Sequence, residues 1–132
     1  MDHTIRIGLA DDNAMFRKFL RSTIVMQPDI KVVGEAEDGS SAIAMVEKHR
    51  PEIVLMDISM PVLDGIEATR IIRSKFPGTR VLVLTMHTAE IFSDRAYQAG
   101  ACSLLPKDCS KNELFRAIKD CSLLDSEELL RR

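Results

Sequence analysis

Two runs in this chain, "EIVLM" from Glu52 and "RVLVLT" from Arg80, are apolar without interruption over four residues. A strand with one wet face alternates apolar and polar side chains; an unbroken run of this length must be covered on both faces. Three further short runs are largely apolar: "IRIGLA" from Ile5, "IKVVGEA" from Ile30 and "ACSLLP" from Ala101. Between them the spacing turns helical, most clearly at Phe16, Phe19, Leu20, Thr23 and Ile24 and again at Leu114, Ala117, Ile118 and Cys121. Asn13, Asp64 and Ser110 stand where helix N-caps are expected. Strand and helix thus alternate about five times, which predicts an α/β fold, a doubly wound parallel sheet with helices on both faces. At 132 residues one domain is expected, covering residues 1–122, with 123–132 as a helical extension or the start of a linker.

The polar residues follow the strands. The first run ends at Asp11 and Asp12, the third at Asp57, the fourth at Thr85 and the fifth at Lys107. In an open parallel sheet all carboxyl ends lie along one edge, the edge at which such folds bind ligands. Three carboxylates gathered there repel one another unless a cation neutralises them. An all-oxygen set with no nearby His or Cys suits Mg²⁺. Lys107 adds a mobile positive charge and Thr85 a hydroxyl, both suited to phosphoryl oxygens. An acidic pair after a strand is by itself commonly a solvated cap, and a strand-end Thr or loop Lys says less still. The shared register of all of them is what points to a metal and phosphate site.

Composition narrows the setting. Lysine and arginine number 18 against 20 acidic residues, a net charge of −2, which offers no electrostatic footprint for nucleic acid or an anionic membrane. No run is long enough to span a membrane and "MDHTIRIG" lacks the character of a signal peptide, so a cytoplasmic location is expected. Cys102, Cys109 and Cys121 have no metal-binding spacing and are odd in number; they are expected to be plain small apolar residues, without a disulfide.

The motifs "LADDN", "GEAEDGSSAI", "PEIVLMDISMPVLDGIEATRIIR", "VLVLT" and "AGACSLLPKD" occur in the order and spacing of the receiver domain of two-component response regulators. From Ile5 to about Cys121 the chain resembles that family, and within it the branch with LuxR- and NarL-type outputs. The resemblance implies a flavodoxin-like five-stranded sheet in the order 2-1-3-4-5. It implies that Asp57 accepts a phosphoryl group, that Asp11, Asp12, Asp57 and the backbone carbonyl of Ser59 hold Mg²⁺, that Thr85 is the switch hydroxyl, and that Lys107 contacts the phosphoryl group. It implies a sensor histidine kinase or phosphotransfer protein as donor, homodimer formation on a face the sequence does not specify, and DNA contact only through an output module that this chain lacks. The chain then acts as a signalling domain that catalyses only its own phosphorylation and dephosphorylation.

Departures from the family pattern are local. Leu104 occupies the position three before the lysine, often an aromatic switch residue, and Tyr97 is a candidate substitute. Pro106 precedes Lys107 and Asp108 follows it, whereas many receivers place a proline after the lysine. His87, two residues after Thr85, reads as a loop histidine, and Pro61 as the residue that sets the turn after Asp57.

Three rival readings are weaker on the residues. A haloacid-dehalogenase-like phosphatase places its nucleophile early in an Asp-x-Asp motif; here the acidic pair comes first and Ser59 stands two beyond Asp57. A nucleotide-binding domain needs a glycine-rich phosphate loop, and neither G-x-G-x-x-G nor G-x-x-x-x-G-K-[ST] occurs. A receiver-like module acting only by protein contact, never phosphorylated, would not need Asp57, both upstream acids, Thr85 and Lys107 together. The tail "SLLDSEELLRR" carries Leu123, Leu124, Leu129 and Leu130, an amphipathic extension or linker start.

Overall fold

The computed structural model describes residues 3–60, 63–86 and 89–124, with the side chains of 89–93 excepted. His87, Pro61 and the tail beyond Leu124, with Leu129 and Leu130, lie outside the described residues. Five strands, β1 (Ile5–Ala10), β2 (Ile30–Ala36), β3 (Ile53–Asp57), β4 (Arg80–Thr85) and β5 (Ser103–Pro106), alternate with five helices. These are α1 (Ala14–Ile24), α2 (Gly39–His49), α3 (Gly65–Lys75), α4 (Ala89–Gln98) and α5 (Lys111–Leu123). The sheet is parallel with the order 2-1-3-4-5, as the family resemblance implies.

Helix entry is set by local chemistry. The side chains of Asn13, Asp64 and Ser110 each accept the backbone N–H three residues on, satisfying a donor that has no intrahelical partner. Asp38 does the same for α2 in a capping box with Ser41, a cap not anticipated from the sequence.

The period of two along the central strands divides the core. Ile7, Leu9, Ile53, Leu55, Leu82 and Leu84 face one side and pack with α1 and α5 through Leu20, Ile24, Leu114 and Ile118. Val54, Met56, Val81 and Val83 face the other and meet α2, α3 and α4 through Val46, Ile72 and Ala96. Every residue of β3 is buried, which is why its sequence runs apolar without alternation. The edge strand β2 is buried only at Ile30 and Ala36.

The cysteines correct the sequence expectation. Cys102 and Cys121 are joined by a disulfide, Cα–Cα 5.9 Å, and both are buried; Cys109 is free. The two are 19 positions apart and carry no spacing signature. Only the return of α5 across the sheet brings its last turn against the residue that precedes β5.

Candidate functional site: an acidic cluster closed by a lysine

The division of the core extends past the strand ends. Asp11 continues the parity of Ile7 and Leu9, Asp57 that of Ile53 and Leu55, and Lys107 that of Leu105, so all three belong to the side covered by α1 and α5. Thr85 has the parity of Val81 and Val83, and Leu104 packs on the opposite core with α2, α3 and α4.

Asp11, Asp12 and Asp57 each offer a carboxylate oxygen within 4.8 Å of the others. Among the described residues this is the group of acids that could hold a metal ion. Asp11 and Asp57 are buried and Asp12 is exposed, so the cluster opens to solvent on one side. The Lys107 Nζ lies 2.6 Å from Asp11 Oδ2 and 3.6 Å from Asp57 Oδ1, with its side chain only 9% exposed. The backbone N–H of Asn13 donates to Asp11 Oδ1 at 2.8 Å and that of Ser59 to Asp57 Oδ1 at 3.3 Å. Thr85 is buried at the end of β4, and its carbonyl accepts from the Lys107 backbone N–H at 2.8 Å, tying the two strand ends together.

One ammonium against three carboxylates leaves the pocket negative. Burial, reinforced by the charge of Asp11, pushes the Asp57 carboxyl from 3.8 up to about 6, against the opposing pull of Lys107 and the Ser59 N–H. An ionised Asp57 is therefore held at a cost that a divalent cation would relieve.

The chain around β3 leaves little latitude. The Gly65 N–H donates to the Ile58 carbonyl at 2.8 Å, and a Cβ at Gly65 would fall 1.9 Å from the Asp57 backbone oxygen. Only glycine lets α3 start this close to the strand end that presents the carboxylate. Met60 is buried in the core on the α2–α4 side.

Two contacts at the site could not be read from the sequence. The Arg17 guanidinium donates to the Asp11 carbonyl and to Glu35 Oε1, and Arg21 pairs with the same Glu35, so α1 and β2 clamp the acidic loop. Phe16, which the helical period marks as a core position, carries its ring 4.6 Å from the Lys107 Nζ. Neither contact has a signature in local spacing, since the partners lie far apart along the chain.

Residues 7–119 match the response regulator receiver domain. The chain belongs to that family. It is 36% identical over 118 residues to the transcriptional regulatory protein DegU of Brevibacillus brevis, covering 89% of this chain and 50% of that protein. It is 39% identical to a protein-glutamate methylesterase/protein-glutamine glutaminase of Pyrococcus abyssi, covering 88% of this chain and 32% of that protein. The solved signal receiver domain of the putative response regulator NarL from Mycobacterium tuberculosis superposes with a TM-score of 0.86 at 32% identity, over 91% of this chain and 97% of that one. The chain thus spans about half the length of DegU. No described helix is long and apolar enough to cross a membrane.

Proposed function

We propose that this receiver takes a phosphoryl group onto Asp57 from a phosphohistidine of a sensor histidine kinase or phosphotransfer protein, with Mg²⁺ in the acidic pocket. The observation that carries the reading is the buried Asp57 carboxylate at the end of β3, with Asp11, Asp12 and Lys107 gathered around it. The Asp57 oxygen attacks phosphorus, the P–N bond breaks, and its electron pair leaves on the imidazole nitrogen, which is released protonated. Such a transfer rests on positioning and on neutralising the phosphoryl oxygens rather than on acid–base assistance.

The donor set fits Mg²⁺. All the candidate ligands are oxygens, and the three carboxylates lie near enough to one another, within 4.8 Å, to share one ion. Asp11, Asp12, Asp57 and the Ser59 carbonyl would hold the ion, which when bound supplies the positive charge that lets Asp57 ionise and the phosphoryl group approach. Lys107, tethered beside Asp57, meets the incoming phosphoryl oxygens. The Thr85 hydroxyl then turns toward the phosphoryl group and, with Leu104 packed beneath α4, passes the change to the face of α4, β5 and α5.

The likeness to DegU and NarL favours transcriptional control by a cytoplasmic regulator, with residues 1–122 as receiver and 123–132 leading to a DNA-binding module. Homodimers are the form in which such a module would act. The likeness to a methylesterase supports a second class of output. Incubation with acetyl phosphate and Mg²⁺ tests the core reading: a gain of about 80 Da, one phosphoryl group, is expected on the wild type and not on Asp57→Asn. No gain on the wild type would favour a silent interaction module, and continuous phosphate release from unrelated esters a phosphatase.

A further inference from the structure

We propose that Phe16 is a positioning residue that holds the Lys107 ammonium between the carboxylates of Asp11 and Asp57 through a cation–π contact. The inference rests on the reading of Asp57 as phosphoryl acceptor. Lysine is a poor choice for a fixed charge. Its four-carbon stem is flexible and its ammonium strongly hydrated, so a lysine beside open solvent spends its charge on water. Here that freedom is removed from three directions. Asp11 Oδ2 stands at 2.6 Å, Asp57 Oδ1 at 3.6 Å, and the Phe16 ring centroid at 4.6 Å. The negative face of the ring attracts the cation without offering a hydrogen bond, and it covers a side from which water would otherwise solvate it. A carboxylate in that place would compete with the phosphoryl group; a ring does not.

The ring is itself held. Phe16 packs against the core on the α1–α5 side, and Phe19 lies 6.0 Å away at a 32° tilt. Asn13, whose backbone N–H fixes Asp11, caps α1 by accepting from the Phe16 N–H at 2.9 Å. The same short turn therefore sets both the carboxylate and the ring that Lys107 meets. Because the ring interacts with the cation wherever it lies over the face, Lys107 can shift from Asp11 toward a phosphoryl group on Asp57 without passing through water.

The test compares Phe16→Leu, which keeps apolar bulk on α1 but has no π face, with Phe16→Trp, which restores one. In the chain alone, without metal or phosphoryl donor, proton NMR should place the Lys107 ε-methylene signals upfield through the ring current, and Phe16→Leu should abolish that shift. With acetyl phosphate and Mg²⁺, Phe16→Leu should slow phosphorylation of Asp57 about three- to tenfold at saturating donor, on the scale of a partly desolvated cation–π contact. Phe16→Trp should stay within about twofold of the wild type, Trp being the strongest partner for a cation. Lys107 signals that do not move in Phe16→Leu, or a Phe16→Leu rate equal to the wild type, would overturn the proposal. So would equal slowing by Leu and Trp, which would reveal a packing effect only. Failure of the wild type to gain a phosphoryl group would instead strike at the acceptor reading and leave the NMR comparison standing.

Discussion

Replacing Asp57 with asparagine removes the charge that the pocket holds at a cost, and the size of that cost follows from the structure. The carboxyl titrates at about 6 in the fold against 3.8 ordinarily, a displacement of about two pH units. At 1.36 kcal/mol per unit this amounts to about 3 kcal/mol lost to the folded state once Asp57 is ionised, an upper bound for the effect. The sign is opposite to that of a salt-bridged aspartate. Between pH 3.8 and about 6 the native state holds more protons than the unfolded chain, so stability falls as pH rises through that window and is level above it. The substituted amide would carry no charge and could still accept from the Ser59 N–H. In metal-free buffer at pH 7.5, Asp57→Asn should therefore be more stable than the wild type by about 1–3 kcal/mol, or about 4–11 °C in Tm. Urea titrations of both chains from pH 4 to pH 8 read the effect directly. The advantage should shrink to about 0.5 kcal/mol or less near pH 4, where the wild-type carboxyl is neutral in the fold and about half-neutral in the unfolded chain. An advantage independent of pH, or a variant less stable than the wild type at pH 7.5, would refute the reasoning.

Three other outcomes are expected. Because Asp57 must lose its proton to bind a cation, Mg²⁺ affinity measured by calorimetry should weaken as pH falls below about 6, approaching a tenfold loss per pH unit. Gly65→Ala should destabilise by about 2–4 kcal/mol and reduce phosphorylation of Asp57, since the added methyl meets the Asp57 carbonyl; a Tm within about 2 °C of the wild type would count against that account. Reducing the Cys102–Cys121 bridge, which closes a loop 19 positions long, should lower stability by about 3 kcal/mol, with no effect of reductant on a Cys121→Ser control.

Much of the fold was legible because its signals are local. Unbroken apolar runs of four residues at β3 and β4 point to strands covered on both sides, and the caps at Asn13, Asp64 and Ser110 act within three residues of their own position. The candidate site was legible for a related reason. A parallel sheet sends every strand end to one edge, so polar residues at the ends of the first, third and fifth runs had to meet, and Asp11, Asp12, Asp57 and Lys107 do.

Other contacts depend on how elements pack, and no local pattern encodes that. The strand order came from family likeness, since periodicity says which face is buried but not which strand is the neighbour. The Cys102–Cys121 bridge was misjudged because its geometry exists only after α5 folds back on β5. The contact of Phe16 with Lys107 and the clamp of Arg17 on the Asp11 carbonyl follow from how α1 crosses the sheet edge. The sequence alone thus determined which runs would be buried, that Asn13, Asp64 and Ser110 would cap and which residues would stand at the strand ends, because those depend on neighbours along the chain. Tertiary structure decided how strongly Asp57 resists ionisation and what restrains Lys107, because burial and Coulomb forces depend on distance through space.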